Sequence, residues 1–331
     1  MILFDTFKDT IFLKDSTELE KKCIALETLN REYPNNDALL EELYIIRKGI
    51  SGENEIKYQL EKSNLGLFVL RDVNIEYENL KAQIDFIVIT RMYCYFIECK
   101  NLIGNITINE NGDFIREFVF DNKKYKKGMY SPLRQVEAQR DVYKKIWNNK
   151  LSSNKFINFI KRTLSEKNFA DIHKVLVVVA NHETIMNTKY APNEIKNKVI
   201  RADNLIRRIT EDLSTSDKSL WDSKSGMEEW ANTFLAANVD INIDYYNYYK
   251  NKFFNNMVIS DADLEKKLIE FRKIRSQLMG IPAYYVFNNE ELKALVENRP
   301  KDIQDLKDKN ILTPIKIKTH GELIIQLINM K

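Results

Sequence analysis

The sequence predicts an α/β fold, a mixed sheet flanked by helices, followed by an all-helical C-terminal region. A helical pattern precedes several alternating strand patterns, and a long helix then leads to a buried strand and another helix, which is the order of an α/β sandwich. The composition changes near residue 216, after which helical patterns dominate. We therefore expect four parts, which are an N-terminal helical segment (1–48), an α/β domain (49–215), a helical linker (216–256) and a C-terminal helical domain (257–331).

The N-terminal segment predicts helix over residues 17–48, interrupted at Pro34-Asn35-Asn36. A further helix is expected to open after Gly52. Strand patterns follow at the positions where apolar residues are dense or alternate, namely 66–73, 82–90 and 92–100.

The second half of the predicted domain has three clear signals. Asn111-Gly112 separates two alternating runs, which predicts a β-hairpin. Ser131-Pro132 has the residue types of a helix N-cap and first turn, so a long helix is expected from 132. The run at 173–180 (HKVLVVVA) predicts a central buried strand, and the pattern at 201–213 predicts a closing helix.

Charge and cysteine content restrict the function classes. The 51 Lys and Arg residues nearly balance the 48 Asp and Glu residues, so a nucleic-acid partner would have to contact local basic patches. Cys23, Cys94 and Cys99 form no CxxC pair and no zinc spacing, which is typical of a reduced compartment. We find no signal peptide and no membrane-length apolar run, so the expectation is a cytoplasmic protein without a membrane partner.

Residues 84–100 place charged side chains on an otherwise apolar pair of strands. Glu98 and Lys100 are two residues apart and share one face of a strand. If Arg91-Met92 forms a two-residue turn, Asp85 falls opposite Glu98; a longer loop would shift this register. Two carboxylates that close repel each other unless a cation lies between them, and a small set of oxygen ligands suits Mg²⁺. The alternative is a solvated strand face with a simple Glu–Lys pair.

The spacing Asp–x12–Glu–Cys–Lys occurs here together with GISGENEIKYQL, QIDFIVIT, FIECKNLIGNI and SPLRQ, in that order. With these segments the region of about 49–215 resembles the nuclease-related domain (NERD) family of the PD-(D/E)XK nuclease superfamily. The resemblance implies a restriction-endonuclease-like core and hydrolysis of DNA phosphodiester bonds that depends on Mg²⁺ or Mn²⁺. One departure is Ile84, which stands where the superfamily pattern has proline.

The resemblance also implies roles for individual residues. It makes Asp85 and Glu98 metal ligands, lets Cys99 contribute its backbone carbonyl, and makes Lys100 the residue that positions or activates the attacking water. It further assigns Glu53 to the catalytic set.

Helical geometry favours Glu53 over Glu55, because Glu53 shares the inward stripe of its helix with Ile56 and Leu60. On the helix that begins at Ser131-Pro132, the resemblance implies Gln135 as a further catalytic residue. Gln139, one turn later, is kept as its alternative.

The run DNKKYKK at 121–127 is expected to be a loop before the helix at 132. Its lysines are candidates for contacts with the phosphates of a nucleic acid, namely Lys123, Lys124, Lys126 and Lys127. The alternative is a solvated turn without a ligand.

The C-terminal region resembles the HRDC domain, a small helical module. The matching residues are Gly280-Ile281-Pro282-Ala283-Tyr284, Phe287, Leu292, Arg299-Pro300, Leu306 and an expected final turn at His320-Gly321. Leu264, Leu268 and Phe271 recur on one helix face. The resemblance implies DNA as a ligand, and docking of a protein partner is the alternative use of such a module.

The sequence and the two resemblances together predict a metal-dependent DNA nuclease that acts in DNA repair or in defence against foreign DNA. The alternative is a non-catalytic protein that uses a nuclease fold to bind nucleic acid or to dock a partner.

Overall fold

The computed structural model describes residues 7–120, 122–151, 169–254 and 261–329. Two compact units divide the chain, Met1–Tyr245 and Tyr246–Lys331. The strands of the first unit are β1 (Thr10–Lys14), β2 (Leu67–Tyr77), β3 (Leu80–Ile89), β4 (Cys94–Lys100), β5 (Asn105–Ile108), β6 (Phe114–Phe120), β7 (Lys123–Met129), β8 (His173–Val179), β9 (Met186–Asn187) and β10 (Val199–Arg201). Its helices are α1 (Glu18–Glu32), α2 (Asp37–Glu61), α3 (Pro132–Leu151), α4 (Phe169–Ile172), α5 (Asn193–Lys196), α6 (Leu205–Ser214) and α7 (Lys224–Leu235). Helix α8 (Tyr245–Phe254) begins at the boundary and, apart from Tyr245, belongs to the second unit.

The main sheet is mixed and has the strand order β1-β2-β3-β4-β8-β10. Strands β2, β3 and β4 are antiparallel neighbours, whereas β1, β8 and β10 pair in parallel with the strands beside them. Strand β8 lies between β4 and β10 and is almost entirely buried, as its apolar sequence predicts. The predicted mixed α/β fold is confirmed.

Helices cover both faces of the main sheet. On one face α3 and α7 pack through buried residues such as Val136 and Phe234. On the other face α2 and α6 pack through residues such as Ile56 and Leu205. Residues 224–235, which the sequence suggested to be part of a linker, therefore contribute Met227, Ala231 and Phe234 to the core of the first unit.

The expected start of a helix after Gly52 is wrong, because α2 runs without interruption from Asp37 to Glu61. Glu53 therefore lies in the middle of a helix and not in its first turn. The predicted boundary between residues 48 and 49 also falls inside this helix. Two glycines cost helix stability, but the buried face of α2 outweighs that cost.

A second sheet has the order β7-β6-β5-β9. The predicted Asn111-Gly112 hairpin is confirmed between β5 and β6, and Gly112 has a positive φ of 82°. The expected loop at 121–127 is wrong, because residues 123–129 form strand β7, antiparallel to β6. Its backbone bonds to β6 hold this polar segment in a strand without burial of an apolar face; Asp121 lies outside the described residues.

The second unit is helical, with α9 (Asp261–Met279), α10 (Ala283–Val286), α11 (Asn289–Asn298), α12 (Ile303–Asp308) and α13 (Pro314–Asn329). Leu264 and Leu268 are buried in its core and Phe271 packs against them, as the periodicity predicts. The expected turn at His320-Gly321 is wrong, because both residues lie inside α13, where Gly321 packs closely on Ile303. Residues 257–260, 330 and 331 of the predicted C-terminal domain lie outside the described residues. Across the parts of the chain that the structure describes, no helix has the length and apolar character needed to cross a bilayer.

Candidate active site

The β3–β4 hairpin has the register that brings two carboxylates together. Its pairs run from Ile89 opposite Cys94 to Phe86 opposite Ile97, and the Thr90 N–H donates to the Tyr93 carbonyl at 2.8 Å. One further step along both strands places Asp85 opposite Glu98. The two-residue turn considered from the sequence is therefore the one that forms.

Asp85 is half-buried and lies one residue before Phe86, the first residue of β3 that pairs with β4. Its Oδ2 accepts a hydrogen bond of 2.8 Å from the backbone N–H of Cys99. Burial and, next to it, the negative charge of Glu98 hold the pKa of Asp85 well above its usual range, although the Cys99 N–H acts in the opposite direction. The ionised form of Asp85 is thus destabilised by its burial and by the neighbouring charge of Glu98.

Glu98 is only 2% exposed, and both of its carboxylate oxygens accept hydrogen bonds. Nζ of Lys100 donates to Oε1 at 2.5 Å, and Nε2 of Gln139 donates to Oε2 at 3.0 Å. The buried charge therefore has an ammonium partner and an amide partner, as burial of a carboxylate requires.

Helix α3 supplies two glutamines, one turn apart, to the same strand end. Oε1 of Gln135 accepts a hydrogen bond of 3.2 Å from Nζ of Lys100, while Gln139 contacts Glu98. Both alternatives from the sequence therefore reach the cluster. Among the described residues, Oε1 of Gln139 is buried and has no hydrogen-bond partner.

Helix α2 brings Glu53 to this region on its buried stripe, with Ile56 and Leu60. Nη2 of Arg71, on β2, donates to Oε2 of Glu53 at 3.1 Å. Burial raises the pKa of Glu53 to about 7, against the opposing effect of the Arg71 charge. The charge of Glu53 also contributes to the raised pKa of Asp85, so the two groups are within electrostatic reach.

Arg71 is a residue that the sequence reasoning missed. Its side chain is 1% exposed and also donates to Oδ1 of Asp15 at 2.9 Å, with Glu20 at 3.6 Å. The signal was present in the run LFVLRDV, where a charged pair interrupts a buried strand, because such a charge needs a partner.

Gly52 allows α2 to approach the end of β4 closely. A Cβ at this position would lie 2.6 Å from Cβ of Asn101 and 3.2 Å from Sγ of Cys99. Nδ2 of Asn101 donates to the Lys48 carbonyl at 2.6 Å, which ties the strand end to the helix. This contact sets the position of α2 relative to the end of β4, and therefore the position of Glu53 relative to the strands.

Cys99 lies between the two charged residues of β4 with its thiol toward Gly52. Burial, followed by the nearby carboxylates, holds the pKa of the Cys99 thiol well above its usual range. The thiol is therefore protonated and is a poor metal ligand. The contribution of its backbone carbonyl remains a prediction.

The donor set fits a hard divalent cation better than a zinc ion. In the described ranges no three His, Cys, Asp or Glu side chains form a ready-made metal cage. Two neighbouring carboxylates, of which Glu98 raises the pKa of Asp85, lie beside a buried amide oxygen without a partner. This set suits an ion that retains water and binds substrate oxygen, as Mg²⁺ does. The candidate lysines of β7 lie on the second sheet and are exposed.

Comparisons with known proteins identify two matching regions of the chain. Residues 48–179 match the family model described as "Nuclease-related domain" (NERD), and residues 261–328 match the model described as "HRDC domain". A comparison with proteins of curated function gave no significant match. Among solved structures, "D. radiodurans RecQ HRDC domain 3" is 33% identical, with a TM-score of 0.21, over 21% of this chain and 92% of that chain. The chain therefore contains a nuclease-related domain of the NERD family followed by an HRDC domain.

Proposed function

We propose that the chain is a metal-dependent nuclease that hydrolyses DNA phosphodiester bonds. The observation that carries this proposal is the convergence of Asp85, Glu98 and Lys100 at one end of the main sheet, inside the segment that matches the nuclease-related domain. The charges and hydrogen bonds around these residues support the roles given below.

Asp85 and Glu98 would hold the cation, Mg²⁺ or Mn²⁺, with the Cys99 carbonyl as a further oxygen donor. When bound, the cation would neutralise charge on the phosphate group and make a water molecule more acidic. Because the pKa of Asp85 is raised, its ionised, metal-binding form is less populated at low pH, so affinity for the cation should increase with pH.

Lys100 would position the attacking water and stabilise the negative charge that develops on the phosphate. Its ammonium group is held between Glu98 and Gln135, which sets the position of Nζ. Gln139 orients Glu98, and its free Oε1 is an acceptor for a water molecule in the site. Glu53, with a pKa of about 7, is suited to accept a proton near neutral pH.

One observation favours the alternative, a non-catalytic nucleic-acid-binding or partner-docking protein. Both oxygens of Glu98 are already engaged by Lys100 and Gln139. A cation must therefore displace or share the Lys100 contact before Glu98 can ligate it.

The C-terminal HRDC domain supports DNA as the ligand of the whole chain. We assign it an accessory role in nucleic-acid binding, with a protein partner as the alternative. The presence of a nuclease-related domain and an HRDC domain in one chain supports nucleic acid as a ligand of both.

The test is incubation of the full chain with single-stranded, duplex and branched DNA in Mg²⁺, in Mn²⁺ and in chelator. We expect cleavage of at least one substrate with metal and none in chelator. Absence of cleavage in every metal, together with retained DNA binding, would select the non-catalytic alternative.

A further inference from the structure

The β6–β7 hairpin has two chemically different faces. Arg116 pairs with Lys127 and Phe118 pairs with Tyr125 across the two strands. Directly opposed residues share a face, and residues two apart along a strand share it as well. Arg116, Phe118, Lys123, Tyr125 and Lys127 therefore lie together, and we name this set the cationic-aromatic face.

The cationic-aromatic face combines positive charge with stacked rings. The rings of Phe118 and Tyr125 are stacked with centroids 5.4 Å apart. The Arg116 guanidinium lies 4.7 Å from the Phe118 centroid, and Nζ of Lys127 lies 5.7 Å from the Tyr125 centroid. Lys123 and Lys127 are exposed, and the two rings are half-buried. None of the five residues is acidic, so the face is complementary to a polyanion.

The opposite face of the hairpin differs in its aromatic content and in the pairing of its charges. It carries Lys124, Lys126, Glu117 and Val119. Nζ of Lys126 lies 2.9 Å from Oε1 of Glu117, so part of its positive charge is neutralised. This face has no aromatic ring among the four residues, although it has the same number of lysines as the other face.

The cationic-aromatic face is joined to the candidate active site by short stretches of chain. Four residues after Lys100, Gly104 packs so closely that a Cβ would lie 2.7 Å from Cβ of Phe118. Nε of Arg116 donates to the Ile103 carbonyl at 2.7 Å. Strand β7 in turn leads directly into α3, which carries Gln135.

We propose that the cationic-aromatic face binds an unpaired nucleic-acid strand. Arg116, Lys123 and Lys127 contact its phosphates, and its bases pack on the open edges of the Phe118 and Tyr125 rings. We take this nucleic-acid strand to be the substrate, or the unpaired part of the substrate, whose continuation reaches Asp85. In this respect the inference rests on the proposed nuclease function. Of the four candidate lysines of β7, the proposal keeps Lys123 and Lys127 as phosphate-contacting residues.

A simpler explanation of the lysines makes a different prediction. Lysines on an edge strand prevent pairing with another strand, and this purpose is served equally by both faces of β7. Strand binding requires the two faces to differ.

The experiment compares matched double variants of the full chain, K123A/K127A and K124A/K126A. Each removes two positive charges from the same strand, one pair from each face. Binding of labelled single-stranded DNA, single-stranded RNA and duplex DNA is measured by fluorescence anisotropy in chelator, across a salt series.

We expect K123A/K127A to weaken single-strand binding by about tenfold or more and to make the salt dependence shallower by about 1.4 in logarithmic slope. K124A/K126A should stay within about twofold of wild type. Tyr125→Leu should weaken single-strand binding about fivefold or more and leave duplex binding unchanged, because only unpaired bases can pack against the edge of the ring. Thermal melting of each variant verifies that it is folded.

Equal losses in the two lysine pairs, or no loss in K123A/K127A, would overturn the inference. Tighter binding of DNA or of RNA identifies which strand the face accepts. The outcome is separable from that of the proposed function. If the protein cleaves DNA with metal and the two double variants lose equal single-strand binding, only this inference is wrong. If only K123A/K127A loses single-strand binding and no cleavage is seen, only the proposed nuclease activity is wrong.

Discussion

The backbone N–H of Cys99 donates a hydrogen bond of 2.8 Å to Oδ2 of Asp85. The strand that carries Glu98 and Lys100 thus also holds the opposing carboxylate of β3. This bond lowers the cost of an ionised Asp85, but burial and the charge of Glu98 outweigh it and raise the pKa of Asp85. The fold therefore holds the Asp85 carboxylate in a position where its ionised form is destabilised.

Replacement of Asp85 by Asn should therefore leave the melting temperature in chelator at pH 8 equal to or above that of the wild type. The folded-state pKa is raised, so ionisation of Asp85 costs stability as pH rises above its usual pKa, and Asn removes this cost. Asn also keeps an oxygen acceptor for the Cys99 N–H. Added Mg²⁺ or Mn²⁺ should then raise the melting temperature of the wild type and leave that of the variant unchanged.

Glu110→Gln, at an exposed position in the β5–β6 turn, is the matched control for the loss of one negative charge. It should respond to metal as the wild type does. An equal metal response in Asp85→Asn would count against Asp85 as a ligand.

Glu53→Gln should flatten the pH dependence of stability. The pKa of Glu53 is about 7 in the folded chain and about 4.5 in an unperturbed glutamate, so the folded state retains a proton that the unfolded state loses. The free energy of unfolding of the wild type should fall relative to the variant by up to about 3 kcal/mol between pH 5 and pH 8. Urea denaturation at unit pH intervals measures this difference, and parallel curves for the two proteins would refute the assignment.

The two glycines of α2 provide a matched pair of substitutions. Gly52→Ala should destabilise the first unit by roughly 1–3 kcal/mol, because the new Cβ meets Asn101 and Cys99 at the end of β4. At Gly49 the new Cβ meets only the flexible end of Leu19, at 3.0 Å, so Gly49→Ala should be neutral or stabilising by up to about 1 kcal/mol. Denaturant melts compare the two variants, and equal effects would mean that the contact at Gly52 relaxes without cost.

Truncation after residue 256, which removes the HRDC domain, should weaken DNA binding and make its salt dependence shallower. A second tethered contact raises the effective concentration of the first, and fewer neutralised phosphates reduce the salt slope. Cleavage of short substrates at saturating concentration should persist, because Glu53, Asp85, Glu98 and Lys100 all precede the truncation. Identical affinities and slopes for the two chains would indicate that the HRDC domain docks a protein.

The β3–β4 hairpin shows which part of the site was predictable from the sequence. Period-two alternation and a two-residue turn at Arg91-Met92 determine the register, and the register alone brings Asp85 to Glu98. Likewise, the 3.6-residue period of α2 identified Glu53 as inward-facing. Patterns of this kind are local, so one short segment of the sequence is enough to predict a hairpin register or the inward face of a helix.

Contacts between distant segments were not predictable in the same way. Strand β1 forms only because its backbone pairs with β2, more than fifty residues later, and α7 belongs to the core because Phe234 packs against Tyr143 of α3. Lysine-rich β7 has no apolar stripe to reveal it. Arg71 was hidden for a similar reason, because its partners Asp15, Glu20 and Glu53 come from three other elements or loops.

The central claim is that Asp85, Glu98 and Lys100 form a metal-dependent catalytic centre. It is tested most directly by the rate of cleavage of labelled DNA as Mg²⁺ or Mn²⁺ is titrated, for the wild type, Asp85→Asn and Lys100→Met. We predict metal-dependent cleavage by the wild type and a loss of at least about a hundredfold in each folded variant, because each variant removes one group that stabilises charge in the transition state. Undiminished cleavage by either folded variant, or cleavage by the wild type in chelator, would contradict the claim.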